Sequence, residues 1–169
     1  MKNIILIGMP SCGKSTVGLL LAKQLGYRFI DSDLLIQERE GKLLHELIAE
    51  RGVDGFLSLE NEVNASIDAH GAVIATGGSA VYGHEAMEHL KKNGTVIYLK
   101  IPYEALAERL GDYVHRGVVM PEGYTLRDMF DERAVLYERY ADCTVDESLS
   151  QGLGDTVARV AELLRKEGY

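Results

Sequence analysis

The chain is poor in cysteine. Only Cys12 and Cys143 occur among 169 residues, without the spacing of a metal site, so a reducing cytoplasm is the expected setting. Excess positive charge is also missing. A formal net charge of −8 sets the molecule against polyanions, which excludes wholesale nucleic-acid or acidic-membrane binding; any anionic ligand must meet a local cluster of cations. No apolar run is long enough to span a bilayer. The amino terminus enters a strand directly after Met-Lys-Asn, which leaves no room for a targeting segment. Repeats, low-complexity tracts and linkers are absent, and the five histidines are scattered without zinc-site spacing. What remains, with 46% hydrophobic and 26% charged residues, has the composition of one soluble globular domain.

Short apolar, β-branched runs alternate with amphipathic ones. Residues 3–8, 28–31, 72–76, 95–101 and 143–146 read as strands buried on both faces. Helices are expected over 14–25, closed by Gly26, over 102–110 with Pro102 in the first turn, over 125–142 and over 155–168. Thr125 and Asp128 have the spacing of a capping box. Such alternation implies a parallel α/β fold with right-handed crossovers. Residues 33–69 hold more helix than one crossover needs. Residues 111–124 combine glycine, proline, His115 and Arg116, as a lid does.

The segment Gly8-Met-Pro-Ser-Cys-Gly13-Lys14-Ser15 matches G-x-x-x-x-G-K-[ST], between an expected strand and an expected helix. Consecutive N–H groups can converge there on phosphate oxygens, with the helix N-terminus adding its partial positive charge. Lys14 would reach the β- and γ-phosphates, and Ser15 would ligate Mg²⁺. Cys12 lies inside the cradle, either as a small filler or, with its pKa lowered by the helix, as a redox switch.

Asp31 and Asp33 follow the second strand at its carboxyl end, where ligands gather in open α/β sheets. One can orient Mg²⁺ through water while the other accepts a proton or hydrogen bond from an acceptor hydroxyl; alternatively Asp33 merely caps the next helix. The "ATGGS" run, Ala75 to Ser79, suits either close approach of a ligand or a tight turn. Arg109, Arg116 and Arg133 are candidate clamps for phosphate or carboxylate, or else solvated surface charges.

These residues resemble the shikimate kinase family, small P-loop kinases related in fold to nucleoside monophosphate kinases. The likeness covers nearly the whole chain, through "GMPSCGKSTVG", "FIDSD", "ATGGSAV", the Arg109-to-Arg116 spacing, "ERAVLYERYAD" and the last helix. It implies one three-layer P-loop NTPase domain with a five-stranded parallel sheet in the order 2-3-1-4-5. It also implies ATP as co-substrate, Mg²⁺, and a small hydroxylated acceptor, with monomer as the default state. By resemblance, Gly8, Pro10, Ser11, Cys12, Gly13, Lys14, Ser15 and Thr16 hold the phosphates. Arg109 stacks on adenine, Arg116 closes over the phosphates, and Ser15 and Asp31 serve the metal. Lys14, Asp33 and Arg116 are the catalytic set; Asp33, Gly77, Gly78, Ser79 and Arg133 receive the acceptor.

The chain departs from the family pattern at several places. Leu57 stands where the family carries an arginine on the shikimate carboxylate, Ser79 replaces the third glycine of a triplet, and Ser11 replaces a cradle glycine. The lid reads Arg116-Gly-Val-Val119 in place of Arg-Pro-Leu-Leu. Losing one partner of a desolvated ion pair costs roughly 2–5 kcal/mol, some thirty- to several-thousand-fold in binding. Arg133, Arg51 and Arg39 are the candidate compensating cations. Three functions therefore stand: phosphorylation of shikimate to shikimate 3-phosphate, phosphorylation of another polyol or sugar acid such as gluconate, or a nucleotide-binding regulatory module without transfer.

Overall fold

The computed structural model describes residues 2–111, 118–166 and 168. At its centre is a five-stranded parallel sheet in the order β2-β3-β1-β4-β5, as expected. Its strands are β1 (Asn3–Ile7), β2 (Arg28–Asp31), β3 (Ala72–Ala75), β4 (Gly94–Lys100) and β5 (Cys143–Asp146). Ile4 pairs with Val73 on one side and Thr95 on the other, so β1 is the middle strand. Every residue of β1 and β3 is buried. Each Ile or Leu so removed from water contributes about 1.5–3 kcal/mol, which is why these strands carry no polar alternation.

Among the described residues seven α-helices flank the sheet: α1 (Lys14–Leu25), α2 (Ser32–Glu40), α3 (Leu44–Ala65), α4 (His84–Asn93), α5 (Tyr103–Leu110), α6 (Leu126–Tyr140) and α7 (Leu153–Lys166). Gly26 ends α1 in a left-handed turn, its N–H on Ala22 O. Thr125 and Asp128 form the reciprocal capping box at α6. Two expectations need correction. Pro102 is the N-cap of α5, one residue before the first turn, because its ψ of 157° is extended. And α4, absent from the sequence reading, fills the β3–β4 crossover. The extra helix between β2 and β3 is α2 plus α3, the latter kinked at Gly52 (φ 70°, ψ 179°). This pair has a second, smaller core of Ile36, Leu47, Phe56, Leu59, Val63 and Val119 beside the sheet's own.

Candidate active site

The chain leaves β1 at Gly8, whose φ of 150° lies outside ordinary L-residue space and whose Cβ would strike Leu99 O at 2.6 Å. It then bends through Ser11, a non-glycine residue at φ 61°, and Gly13 at φ 94°, before α1 begins. Ser11 thus performs a glycine's conformation, a strain of about 1 kcal/mol. Lys14 is buried, and its Nζ donates to Gly8 O and Met9 O at 2.8 Å each. The ammonium therefore caps its own loop. Cys12 fills the space beneath. Burial pushes its thiol pKa up, against a smaller opposing pull from Lys14, so the helix does not activate it. Burial with a raised thiol fits the filler reading rather than the redox switch.

Asp31 ends β2 and caps α2: its Oδ1 accepts from the N–H groups of Asp33 (3.0 Å) and Leu34 (3.4 Å), and its Oδ2 from Ser15 Oγ (2.6 Å). Capping thus belongs to Asp31, which frees Asp33. The Asp33 side chain faces a cavity of about 210 Å³ lined also by Lys14, Ser15, Phe56, Glu60, Gly77, Gly78, Ser79 and Arg133. Desolvation first and the neighbouring Asp31 second raise the Asp33 carboxyl to about 6, with Lys14 opposing.

The glycines after β3 are required by close approach. A Cβ on Gly77 would fall nearer than 3.0 Å to both Glu60 Oε1 and Asp33 Oδ1; one on Gly78 would stand 2.8 Å from Pro10 Cδ and 3.0 Å from Arg133 Nη1. The tight-turn alternative is thereby subordinate to a packed floor. Ser79 is buried and donates to Glu60 Oε2 at 2.6 Å.

Arg133 is 2% exposed, so it is no solvated surface charge. Its Nη2 donates to Val119 O and its guanidinium lies 5.5 Å from the Tyr82 ring centroid. Arg39 and Arg51 are drawn off to Glu62 and Glu40 at the surface and do not line the cavity. Among the described residues, Lys14 and Arg133 are its lining cations. Leu57 is packed against the smaller core and is not a lining residue.

On the other side of the loop lies a second cavity of about 320 Å³, lined by Arg109, Glu147, Ser150, Gly152, Leu153 and Thr156. Ser11 and Gly13 line both cavities, so the phosphate loop is their common wall. Arg109 is exposed and donates to Ser11 O (3.4 Å) and Glu147 Oε2 (3.3 Å). Burial raises the Glu147 carboxyl and Arg109 lowers it in part. Pro10, Ser11, Gly13, Lys14, Ser15 and Thr16 line the first cavity, and Gly8 and Cys12 lie in the same loop without lining it; Arg116 lies outside the described residues, as does most of the first half of the 111–124 segment.

A family model described as shikimate kinase matches residues 10–165. The shikimate kinase of Thermodesulfovibrio yellowstonii is 36% identical over 99% of this chain and 95% of its own length. The chain belongs to the shikimate kinase family, whose members are ATP-dependent kinases. A shikimate kinase from Acinetobacter baumannii, solved in complex with shikimate, superposes with a TM-score of 0.88 at 32% identity, covering 99% of this chain and 95% of that one. A gluconokinase from Sinorhizobium meliloti 1021 shares the fold alone, at TM-score 0.53 and 19% identity over 99% and 98% of the two chains.

The sequence reading missed four residues of this site. Glu60 carries no motif signal, and Phe56 only its place beside Leu57 in the segment that matches the family; both line the cavity because the kinked α3 folds over it. Ser32 accepts from Gly77 N–H at 3.2 Å, and Tyr137 Oη donates to Gly78 O at 2.6 Å; together they fix the glycine floor from opposite sides.

Proposed function

We propose that this chain transfers the γ-phosphoryl group of ATP to a hydroxyl of shikimate, giving shikimate 3-phosphate. The observation that carries this reading is the shared wall: a triphosphate laid along the loop has its base in the Arg109 cavity and its terminal phosphate facing Asp33 in the other. Transfer of this kind is mostly positioning and charge neutralisation.

In this reading Gly8, Pro10, Ser11, Cys12 and Gly13 present the main-chain cradle, with Thr16 in the first turn behind it. Lys14 exchanges its loop carbonyls for phosphate oxygens. Arg109 leaves Glu147 to stack on adenine, and Arg116 covers the phosphates. Asp33, ionised above about pH 6, accepts the hydrogen bond and then the proton of the attacking hydroxyl. Gly77, Gly78 and Ser79 form the acceptor floor, and Arg133 holds the acceptor carboxylate bidentately. The Ser15 hydroxyl and Asp31 carboxylate, 2.6 Å apart, are hard oxygen donors of the kind Mg²⁺ takes directly or through water. When bound, that ion would supply neutralisation of charge on the β- and γ-phosphates.

In this reading the working unit is a monomer of one domain, with its acceptor insert over 33–69 and its lid over 111–124. No described helix is long and apolar enough to cross a membrane. In this reading the chain works in the cytoplasm, where ATP is supplied. A second acceptor, another polyol or sugar acid, rests on the sequence departure at Leu57, which packs outside the cavity lining. Coupled ADP release against shikimate, gluconate and a panel of polyols separates them: shikimate should give the largest kcat/KM. If no acceptor raises ADP release above the water background, the kinase reading gives way to a nucleotide-binding module without transfer.

A further inference from the structure

Ser79, a departure from the family pattern, holds one buried side chain, Glu60. Glu60 stands one helical turn beyond Leu57 on α3 and is 1% exposed. Its Oε2 is held by Ser79 Oγ at 2.6 Å, while its Oε1 is buried without a hydrogen-bond partner. That bare oxygen lies against Gly77 on the acceptor side, at the spot Asp33 Oδ1 also crowds. A buried polar atom left unsatisfied is costly, so it marks a place prepared for a partner.

We propose that Glu60, oriented by Ser79, is a specificity-determining residue that binds a second hydroxyl of the acceptor beside the one Asp33 holds. The cavity then selects molecules with neighbouring hydroxyls. This inference rests on the functional reading above and refines it. A hydroxyl both donates and accepts, so it satisfies Oε1 whether or not Glu60 carries a proton. A carboxylate would suit only the protonated form and falls instead to Arg133. The groups acting on Glu60 are Ser79, Asp33, Arg133 and Lys14, from the glycine floor, α2, α6 and α1. In this chain the serine hydroxyl therefore supplies the orienting contact, with leucine at position 57.

The test is steady-state kinetics of the full chain with shikimate and with analogues each lacking one ring hydroxyl. Glu60→Met should raise the shikimate KM about tenfold with little change in kcat, and Glu60→Gln should restore most of the loss. One analogue should show the same KM rise with the unaltered chain and no further rise with Glu60→Met. Ser79→Ala, run through the same series, should show that pattern more weakly, and it decides the matter if Glu60→Met does not fold. Losses that multiply independently with every analogue, or fall on kcat alone, overturn the inference while leaving shikimate phosphorylation standing. Absence of shikimate turnover by the unaltered chain overturns both.

Discussion

The two sides of the phosphate loop are built on different principles. The nucleotide side uses main-chain groups and an exposed arginine held by one carboxylate. The acceptor side is a desolvated cluster in which Asp33 and Glu60 are raised to about 6 and about 7, chiefly by burial, and face a buried Arg133. A polyphosphate is bound by whatever points N–H groups at it, so one local bend suffices. A small uncharged hydroxyl is bound only by side chains placed in three dimensions, and α2, α3, α6 and the β3 turn all contribute.

The contrast can be broken first at Lys14. Lys14→Met should lower kcat about 100- to 1,000-fold, since a preorganised charge at the transferring group is removed, and ADP release would report it. If Arg133 is the acceptor's main anchor, Arg133→Met should raise the shikimate KM roughly 30-fold or more while nucleotide affinity stays nearly unchanged. Equal losses for both ligands would show that the two sides are not separable.

Glu60 sharpens the contrast through pH. Its carboxyl titrates at about 7 when folded against 4.5 ordinarily, so between these values the native state binds the extra proton and stability falls as pH rises. The effect reaches about 3 kcal/mol above pH 7. Denaturant titrations from pH 4.5 to 8 should show that decline, and Glu60→Gln should reduce it, leaving the part below about pH 6 that the raised Asp33 carboxyl contributes. Leu57→Arg tests the acceptor wall: an added guanidinium should tighten shikimate about tenfold by calorimetry. No gain would mean that packing against the smaller core keeps the new side chain away. Last, Ser11→Gly should relieve the left-handed backbone and raise Tm by about 2 °C without touching the acceptor KM.

The same division explains what could be read in advance. The cradle is contiguous from Gly8 to Thr16, and its chemistry follows from spacing, as do the strand order's elements and the caps at Gly26 and Thr125. Asp33 was readable as a candidate but not distinguishable from a cap, because only the backbone shows that Asp31 takes the N–H groups. Glu60 was invisible. A glutamate on an amphipathic helix signals solvent until the fold turns it inward, and the Gly52 kink that aims the second half of α3 has no periodic signature. Arg133 is marked in the sequence by its place in the "ERAVLYERYAD" run, while Arg39 and Arg51 stand only as charges that could reach the site. Burial and partner choice separate them, and both are tertiary properties.

The glycine at position 77 sets a limit on how this enzyme can change. Because both carboxyls press on its α-carbon, even a methyl group there would displace a charged neighbour, so that stretch of wall is drawn by main chain and closed to substitution. New acceptors are then accommodated by exchange at other lining positions, 56, 79 and 133 among them. Laboratory selection for a different sugar acid should therefore return changes at those sites again and again, with residue 77 still bare.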